Sequence, residues 1–498
     1  MLKILTAEQI KALDAFTIEH EPIASITLME RACHAFTTWF AQKINSTKVI
    51  GIVCGTGNNG GDGLGVAKIL HDMNYAVKVW IVKGAGAASE DFKTNLEKLQ
   101  GKVEIDEIIQ NPDKGLFSGC HVLIDAIFGS GLSRPTEGVY AQVISCINQA
   151  DVVRVAIDIP SGLMVDNHIE SNIIQAHYTV SFQLPKLAFF LPENYKYTGE
   201  WCLVDIGLNK EFIANADTSH FLLEKKDLTK IKKKRSRFGH KGDFGKALII
   251  AGSYGKMGAA VLSAKAAMHS GLGLLTVHVP QSGYSILQTA FPEAMVSVDK
   301  HDKFFTEKPD LKDYDAVGIG PGLGVESETI TAFASILEET KNPVVIDADG
   351  LNILSKNREL IHSIPPNSIL TPHPKEFERL VGKWKNDFDR LEKLKSFATQ
   401  TKTVIVLKGA YTTIASPDGA IYFNPTGNPG MATGGSGDVL TGILTGLLAQ
   451  HYTSLQTAQL GVYLHGLSGD LASEEKGMEG MIASDLVNFL SQAFRRLN

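Results

Sequence analysis

The sequence predicts two consecutive α/β domains, each built on a mostly parallel sheet with helices on both faces. Three observations support this prediction. The chain has 498 residues, which is long for one core and favours two domains. Apolar strand-like runs alternate with helical stretches in both halves, as is typical of parallel sheets. Glycine-rich or acidic segments follow many of these strands, where the binding sites of such sheets lie.

The composition is that of a soluble globular protein. Hydrophobic residues make up 44% of the chain and the formal net charge is −6, which argues against nucleic acid as the main partner. The N-terminus lacks the apolar core of a signal peptide, and we find no run of about 18 apolar residues, so we expect a cytoplasmic protein without membrane contact. The cysteines include no CxxC pair and are expected to be reduced core thiols; they are Cys33, Cys54, Cys120, Cys146 and Cys202.

The first half begins with two predicted helices over residues 6–45 and continues as alternating strands and helices. The predicted strands are KVIGIVCG, YAVKVWIV, HVLIDAIFG, VVRVAIDIP and YTVSFQL. The first strand leads into GTGNNGGDG, where Gly55, Gly57 and Gly60 form a GxGxxG pattern. As a dinucleotide fingerprint this pattern is weak, because the second strand ends at Val82–Lys83 without an acidic residue for a ribose. A turn rich in Asn and Asp for backbone reasons is the alternative.

Polar side chains follow three strands of this half and predict an oxygen-lined site. Asp125 lies within an apolar strand, which is costly unless the carboxylate is paired or binds a cation. Asp158 and Ser161 follow the next strand, and Asn59 lies in the first loop. Oxygen donors without His or Cys suit an alkali or alkaline-earth ion rather than zinc, and a carboxylate that the ion does not use could be an acid–base catalyst. The loop over residues 129–135 suits a phosphate.

A change of pattern near residues 215–235 marks the predicted join between the domains. The basic run KKDLTKIKKKRSR is interpreted as a solvated linker rather than a nucleic-acid signal, because the whole chain is acidic. A second α/β series follows, with strands in GKALIIAGS, LLTVHV, AVGIGPGLG, PVVIDADGL, SILTPHPKEFERL and TVIVLKGAYTTIAS. At the strand ends, His373, Asp347, Asp349 and Lys408 either line a site or serve the turns structurally.

The stretch NPTGNPGMATGGSGD, residues 424–438, lies between a predicted strand and a predicted helix. A helix N-terminus binds anions, and Gly434, Gly435 and Gly437 allow backbone to approach one closely. Asp438 at this helix start is either an N-cap or a base that deprotonates a hydroxyl about to be phosphorylated. No Walker A sequence occurs, so this stretch is the best candidate for holding phosphates.

Several motifs resemble known families. GTGNNGGDG, DAIFGSG and AIDIPSG resemble NAD(P)H-hydrate epimerase domains. HKGDFGKALIIAGS, GIGPGLG, DADGLN, LTPHPKEFERL, LKGAYT and NPGMATGGSGDVLTGIL resemble ADP-dependent NAD(P)H-hydrate dehydratase domains. The resemblance implies a Rossmann-like three-layer αβα domain over residues 1–215, a linker over 216–235, and a ribokinase-like αβα domain over 236–498. It implies a bifunctional repair enzyme that interconverts the R and S hydrates and dehydrates the S epimer, converting ADP to AMP and phosphate.

The resemblance also implies the site residues of the first domain. A potassium ion is expected at Asn59, Asp125 and Ser161, and we expect Asp158 to be the acid–base group at C6. The nucleotide substrate is expected to contact Asn58, Asn59, Gly60, Gly61, Asp62, Gly129, Ser130, Gly131, Leu132, Ser133, Arg134, Pro135, Tyr140 and Asp158.

In the second domain, Asp438 is expected to accept the proton of the C6 hydroxyl as that oxygen attacks the β-phosphorus of ADP. Backbone N–H groups over residues 435–437 would stabilise the transferring phosphoryl group. By analogy with other ribokinase-like enzymes, Glu376 would orient a magnesium ion through water. The hydrated nucleotide is expected at Ala259, Gly322, His373 and Asp438, and the adenine nucleotide at Lys408, Gly409, Ala410, Tyr411, Thr412 and Gly437.

Two alternatives remain at this point. The second domain could be an ATP-dependent kinase for a vitamin precursor or sugar, since its anion loop and base would look alike. The first domain could be a binding or scaffold module, although its polar residues support activity. The resemblance further implies a homo-oligomer, a tetramer or larger, whose partners are small molecules rather than nucleic acid or membrane.

Overall fold

A computed structural model describes residues 1–84, 86–113 and 115–497. The chain starts with a two-residue strand, β1 (Leu2–Lys3). It divides into two compact units. The N-terminal unit comprises Lys3–Thr218 and Asn386–Phe388, and the C-terminal unit comprises Met1–Leu2, Ser219–Lys385 and the chain from Asp389 onward.

The N-terminal unit contains one seven-stranded sheet in the order β4-β3-β2-β5-β6-β7-β8, in which every neighbouring pair is parallel. Short 3-10 helices lie at Leu187–Phe190 and Pro192–Asn194. The helices and strands, in chain order, are α1 (Ala7–His20), α2 (Ser25–Lys43), β2 (Val49–Cys54), α3 (Asn58–Asp72), β3 (Ala76–Val82), α4 (Glu90–Leu99), β4 (Glu104–Ile108), β5 (Val122–Ala126), α5 (Gly138–Gln149), β6 (Val153–Ile157), β7 (Tyr178–Phe182), α6 (Tyr195–Thr198), β8 (Glu200–Val204) and α7 (Lys210–Asn215).

Helices cover both faces of this sheet. Alternate residues of a strand point to opposite faces. Ile50 and Ile52 of β2 therefore pack with Phe36 of α2 in one core cluster, whereas Val53 packs with Val143 of α5 in another. Because both faces are buried, the five strands that the sequence predicted, β2, β3, β5, β6 and β7, are largely apolar. The edge strands β4 and β8 were not predicted, and β4 carries three acidic residues.

The C-terminal unit is built on a sheet of order β1-β9-β18-β17-β16-β15-β14-β13-β10-β11-β12. Strand β17 is antiparallel to both its neighbours, and the other pairs from β9 to β12 are parallel. The 3-10 helices are Lys241–Phe244, Gln281–Gly283, Arg358–Ser363 and Pro429–Met431. The other elements are β9 (His220–Leu222), α8 (Lys225–Ile231), β10 (Lys246–Ile250), α9 (Met257–His269), β11 (Leu274–Val279), α10 (Tyr284–Ala290), β12 (Met295–Val298), β13 (Ala316–Ile319), α11 (Ser327–Glu339), β14 (Val344–Ile346), α12 (Asp349–Lys356), β15 (Ile369–Leu370), α13 (Pro374–Val381), α14 (Asp387–Thr401), β16 (Val404–Leu407), β17 (Thr413–Ala415), β18 (Ile421–Phe423), α15 (Ser436–Ala449), α16 (Ser454–Lys476) and α17 (Ala483–Arg496).

Helix α15 is the buried helix on which the second candidate site depends. From Val439 to Ala449 all of its residues are buried. It packs closely on α9: a Cβ at Gly442 would lie 2.2 Å from the carbonyl oxygen of Ser263, and one at Gly446 would lie 2.6 Å from that of Ala267. Glycine at both positions is therefore what lets the two backbones approach. This packing fixes the N-terminus of α15 at the carboxyl end of the sheet.

The fold class predicted from the sequence is confirmed: both units have helices packed on largely parallel sheets. The two units divide within the predicted join, at residues 218/219, but the interpretation of the range as a solvated linker was wrong for residues 220–222 and 225–231. Strand β9 pairs with β18, and Leu228 of α8 is completely buried in the core of the C-terminal unit. The lysines of α8 masked this, because one buried leucine among several charges carries little apolar signal.

Two further expectations can be compared with the structure. No helix in the described part of the chain is both long enough and apolar enough to cross a membrane. The cysteines are free thiols, and the expected core position holds for Cys33, Cys54 and Cys146, whereas Cys120 and Cys202 are partly exposed.

Candidate active sites

The first candidate site lies where β2 leads into α3. Helix α3 begins at Asn58, so the predicted nucleotide contacts Asn58–Asp62 form its first turn. This turn approaches the preceding loop closely, since a Cβ at Gly60 would lie only 1.8 Å from the carbonyl oxygen of Gly55. The first-turn N–H groups of a helix have no intrahelical partner. The sequence thus places an anion-binding helix start directly after the first strand.

The predicted oxygen cluster is partly assembled by direct hydrogen bonds. Asp125 lies on β5 and Ser161 follows β6. The Ser161 backbone N–H donates to Asp125 Oδ2 over 2.8 Å, and the Ser161 hydroxyl donates to Oδ1 over 2.6 Å. Burial raises the pKa of Asp125 to about 6, although these hydrogen bonds act in the opposite direction. A cation beside this carboxylate would favour its ionised form.

Asn59 borders the same loop. It is 8% exposed, and its side-chain nitrogen has no hydrogen-bond partner in the described part of the chain. A Cβ at Gly129 would lie 3.4 Å from Asn59 Oδ1. A buried NH2 group without a partner is completed by a hydrogen-bond acceptor, for which an oxygen of the nucleotide is suited. The amide, carboxylate and hydroxyl oxygens of Asn59, Asp125 and Ser161 are hard donors that fit a potassium ion.

Asp158 is held by a buried lysine that sequence reasoning missed. Asp158 follows β6 with a left-handed φ of 66°, a conformation that costs free energy and is found mostly where surrounding contacts enforce it. Its carboxylate forms an ion pair with Lys186, which is 1% exposed. It also accepts the Phe182 N–H over 3.2 Å, and Lys186 donates to the Ser181 hydroxyl over 2.6 Å. No local motif marks Lys186, because it reaches the site from a loop beyond β7.

Two further acidic groups share this electrostatic environment. Burial raises the pKa of Asp14 to about 7, and the Asp158 carboxylate adds to the rise while Lys186 opposes it. Burial likewise holds the pKa of Asp62 well above its ordinary value, with Asp158 and Asp14 as further causes. Asp62 was predicted as a nucleotide contact, whereas Asp14 on α1 was not predicted. The N-terminal unit therefore gathers carboxyl groups that readily hold protons.

The remaining predicted nucleotide contacts lie at the opening of α5. Tyr140, in the first turn of α5, packs its ring 4.6 Å from that of Phe128 and lies against Gly84. The loop 129–135 leads into this helix, and Gly131 with residues 133–135 is exposed. The predicted phosphate loop is thus accessible to a ligand.

The second candidate site is a cavity of about 890 Å³ in the C-terminal unit. It lies between the ends of β14 and β16, the segment 424–433 and the start of α15. Among the predicted site residues, those that line it are His373, Lys408, Gly409, Ala410, Thr412, Gly437 and Asp438. The volume is in the range of known ligand sites.

Asp438 lies in the first turn of α15, as the sequence predicted. Burial raises its pKa to about 6, the nearby Asp347 carboxylate adds to the rise, and the Lys408 ammonium opposes it. A carboxyl group with such a pKa is ionised near neutral pH yet remains a better base than an exposed aspartate. Gly435, which precedes the helix, has a φ of +91°. The chain turns sharply into α15 at this residue, in a left-handed conformation that would be strained for a residue with a side chain.

Lys408 and Asp347 both line the cavity and form an ion pair. Lys408 Nζ donates to Asp347 Oδ1 over 2.8 Å and lies 4.0 Å from Glu376 Oε2. Burial lowers the pKa of Lys408, but the carboxylates of Asp347 and Glu376 outweigh this and raise it overall. The Thr441 hydroxyl donates to the other oxygen of Asp347 over 2.7 Å. Lys408 is therefore a fixed cation beside the helix start.

Ala259 and Gly322 lie side by side, next to the cavity rather than among the residues that line it. A Cβ at Gly322 would lie 3.2 Å from the Ala259 Cβ. One turn beyond Ala259, the Ser263 hydroxyl donates to the backbone carbonyl of Asp438 over 2.9 Å. Helix α9, which carries Ala259, thus contacts the first turn of α15, whereas no contact joins Ala259 or Gly322 to the Asp438 carboxylate in the described part of the chain.

His373 and Glu376 have a structural function at the start of α13. The two residues form a capping box: Nδ1 of His373 accepts the Glu376 N–H, and Glu376 Oε2 accepts the His373 N–H over 2.8 Å. Glu376 does not line the cavity, and burial raises its pKa. Tyr411 is not among the lining residues either. Within the described chain, no three His, Cys, Asp or Glu residues are grouped for a metal ion, so a magnesium ion here would depend on ligand phosphates.

Several residues of this site were not singled out from the sequence. Ala348, which lines the cavity, has a φ of 48°. His465 of α16 also lines it, and its Nε2 lies 3.0 Å from the Ser436 carbonyl oxygen. Asp470 of α16 accepts the Gly427 N–H over 3.0 Å. These residues lie far along the chain from the glycine-rich stretch, so only the tertiary structure brings them to it.

Comparison with known families matches both halves of the chain. Residues 25–188 match the family described as YjeF-related protein N-terminus, and residues 247–492 match the family described as NAD(P)H-hydrate dehydratase. These two ranges contain the first and the second candidate site respectively.

Individual relatives match over nearly the full length. A protein of Moorella thermoacetica, named bifunctional NAD(P)H-hydrate repair enzyme Nnr, is 37% identical over 99% of this chain and 97% of its own length. A protein of the same name from Coxiella burnetii is 36% identical over 96% of both chains. Among solved structures, a ribokinase-like superfamily protein of Enterococcus faecalis is 28% identical, with a TM-score of 0.51 over 57% of this chain and 98% of its own.

Proposed function

The chain belongs to the family of bifunctional NAD(P)H-hydrate repair enzymes, and from this premise we propose that it carries two activities. Residues 1–215 interconvert the R and S epimers of hydrated NADH and NADPH. Residues 236–498 dehydrate the S epimer and convert ADP to AMP and phosphate. The observation that carries this proposal is the cavity in which Asp438 lies at a helix start beside Lys408.

Dehydration proceeds through phosphorylation of the hydroxyl that must leave. Asp438 takes the proton of the C6 hydroxyl while the hydroxyl oxygen bonds to the β-phosphorus of ADP. The bond between this phosphorus and the bridging oxygen breaks, and that oxygen leaves with AMP. The ring-nitrogen lone pair then expels phosphate from C6, and loss of a C5 proton restores the double bond. The products are the reduced nucleotide, AMP and phosphate, so atoms and charge balance.

The surrounding residues stabilise the transferring group. Backbone N–H groups over residues 435–437 at the start of α15 donate to its oxygens, and the Lys408 ammonium offsets their negative charge. Residues 408–412 hold the adenine nucleotide. His373, Ala259 and Gly322 border the hydrated nicotinamide. Magnesium, when bound with the diphosphate, would offset its charge. Asp347 is the carboxylate besides the base Asp438 that lines the cavity, and Glu376 would orient the ion through water.

Epimerisation uses the oxygen-lined site of the N-terminal unit. Asp158 takes the proton of the C6 hydroxyl as the bond between C6 and the ring nitrogen breaks to leave an aldehyde at C6. The nitrogen then bonds to the other face of that carbonyl and Asp158 returns the proton, while Lys186 holds the carboxylate in place. The nucleotide lies along Asn58–Asp62, the loop 129–135 and Tyr140. Asn59, Asp125 and Ser161 would hold potassium, which when bound supplies positive charge beside the phosphates. Burial raises the pKa of Asp14 and of Asp62, so these two carboxyl groups can also hold a proton.

The protein acts in the cytoplasm on small molecules as a homo-oligomer, a tetramer or larger, without nucleic acid or membrane as a partner. The ATP-dependent kinase alternative is not favoured, because relatives named as repair enzymes match almost the entire chain, including both domains. A scaffold role for the first domain is disfavoured by its intact set of polar residues.

A direct assay tests the proposed function. Purified protein is incubated with hydrated NADH and either ADP or ATP, while the reduced-nicotinamide absorbance band and the release of phosphate are followed. We expect absorbance to return with one phosphate per molecule restored, and AMP to appear when ADP is supplied. Phosphorylation of another alcohol by ATP, without recovery of absorbance, would support the kinase instead.

A further inference from the structure

Helix α16 contacts the proposed nucleotide site through a buried histidine. His465 is 9% exposed, lines the cavity, and lies 29 residues beyond the first turn of α15. Its Nε2 is 3.0 Å from the backbone carbonyl oxygen of Ser436 and 3.5 Å from the Ser436 hydroxyl. Ser436 is the first residue of α15 and directly precedes Gly437 and Asp438. The imidazole therefore contacts the peptide group from which the proposed anion-binding turn begins.

The chemistry of this contact fixes the state of the ring. A carbonyl oxygen only accepts, so Nε2 must carry the hydrogen in the Ser436 contact. Burial lowers the pKa of His465 to about 4, with Lys408 as a further cause, although the Ser436 carbonyl opposes the shift. The ring is thus neutral at neutral pH, donates through Nε2, and does not change its charge in that range. This distinguishes it from Asp438, whose pKa of about 6 suits a base.

The same helix holds the other end of the glycine-rich segment. The Thr426 hydroxyl donates to the Tyr463 carbonyl over 2.9 Å, and Asp470 accepts the Gly427 N–H over 3.0 Å. A Cβ at Gly466 would lie 2.3 Å from Thr426 Oγ1, so the helix and the segment are in close contact there. Asp470 therefore holds the start of the glycine-rich segment at Gly427, and His465 holds the start of α15 at Ser436.

We infer that His465 is a positioning residue of the dehydratase site, which holds the Ser436 peptide so that the following N–H groups point at the phosphoryl group of the adenine nucleotide. The inference rests on the proposed function and deepens it. His465 does not touch the reacting atoms; it acts through the first turn of α15. Loss of His465 should lower kcat/KM for ADP more than it affects the binding of the hydrated nucleotide. The proposed contacts of the hydrated nucleotide, Ala259 and Gly322, lie on α9 and on the loop after β13, away from this hydrogen bond.

A matched pair of substitutions tests the inference. Gln at this position offers an N–H close to where Nε2 lies, whereas Met has a similar length without a donor. We expect His465→Met to lower kcat/KM for ADP about tenfold, the upper end of the net contribution of one hydrogen bond, because the Ser436 carbonyl keeps its intrahelical partner and loses only the imidazole N–H. We expect His465→Gln to remain within about threefold of the wild type by the same criterion. The KM for the hydrated nucleotide should change little in both variants.

The epimerase activity of the same chain provides the control for folding. It should be unchanged in both variants, measured as interconversion of the hydrate epimers without ADP. Wild-type kcat/KM for ADP in His465→Met would overturn the inference. So would an equal loss in His465→Gln, or a rise in the KM for the hydrated nucleotide as large as that for ADP.

A measurement on the wild-type protein covers the case in which His465→Met does not fold. With 15N-labelled histidine in the full chain, His465 should give the neutral tautomer with hydrogen on Nε2 at neutral pH, identified by the loss of that signal in His465→Gln. A charged ring or hydrogen on Nδ1 would overturn the inference. Failure of the proposed function is distinguishable, because the wild-type protein would then restore no reduced nucleotide with ADP.

Discussion

At the scale of residues, the proposed function depends on carboxyl groups whose protonation the fold has shifted. Asp438 and Asp125 each have a pKa raised to about 6, mainly by burial. Asp158 is instead paired with the buried Lys186. Asp438 and Asp158 are the two assigned acid–base groups, one in each unit. Their different surroundings suit different tasks: a base that must remain unpaired, and a group held in one orientation by an ammonium.

The pH dependence of dehydration follows from Asp438. The carboxylate must be ionised to accept the hydroxyl proton, and its pKa is raised to about 6. The rate should therefore rise with pH through about 6 and level off above it. The check is kcat for ADP-dependent dehydration across this range, with ADP saturating. A rate that is flat down to the pKa of an ordinary aspartate, about 3.9, would contradict the assignment.

The Asp158–Lys186 pair should show strong coupling. Lys186→Met should destabilise the N-terminal unit by about 3–5 kcal/mol, because Asp158 would remain buried without its cation. The double variant with Asp158→Asn should recover a large part of this loss, since no charge is then left unpaired. The measurement is urea unfolding followed by the fluorescence of Trp39, Trp80 and Trp201. A double variant no more stable than Lys186→Met alone would show that the two groups are not coupled.

The sequence revealed some of these residues and concealed others for physical reasons. Asp438, Asp125 and Asn59 stand in glycine-rich or apolar contexts that make a polar side chain conspicuous. Lys186 and His465 could not be found, since each reaches its partner across the fold from an element without a local motif. The magnesium role of Glu376, expected by analogy with ribokinase-like enzymes, stays a prediction. In the structure its carboxylate caps α13 through the His373 N–H.

At the scale of elements, helix starts create both candidate sites. Helices α3 and α15 each begin directly after a glycine-rich turn. The alternation of apolar strands with helices predicted the central strands of both sheets and the position of these helices, but not the outer strands β4, β8 and β12. The pattern could not predict that β9 and α8 join the C-terminal unit, because a three-residue strand and a lysine-rich helix leave almost no periodic signal.

Two neighbouring glycines before α15 provide a matched test of its entry geometry. Gly435 has a φ of +91°, and a Cβ there would lie 2.6 Å from Leu262 Cδ1. A Cβ at Gly434 would meet nothing within 4 Å. Gly435→Ala should therefore lower the stability of the C-terminal unit by about 1–3 kcal/mol and impair dehydration.

Gly434→Ala should leave the stability nearly unchanged. Thermal unfolding of the two variants, alongside the rate of ADP-dependent dehydration, provides the comparison. Equal stability of both variants would show that the left-handed entry at Gly435 is not required.

At the scale of the whole molecule, two units in one chain carry consecutive activities. Hydration of the nicotinamide ring gives two epimers, and the dehydratase uses one of them. An epimerase in the same chain makes the other epimer available, so a mixture can be restored completely. Because each unit has its own core and its own site residues, substitutions at one site should leave the other activity intact.

The most direct test of this account compares Asp438→Asn with Asp158→Asn in the full chain, each assayed for both activities. Asp438→Asn should lose about 10²–10⁴ in the rate of ADP-dependent dehydration, as expected for a missing base, and interconvert the epimers at the wild-type rate. Asp158→Asn should show the reverse: rapid dehydration of the S epimer in a mixture, with the R epimer left behind. Full ADP-dependent dehydration by Asp438→Asn would contradict the account.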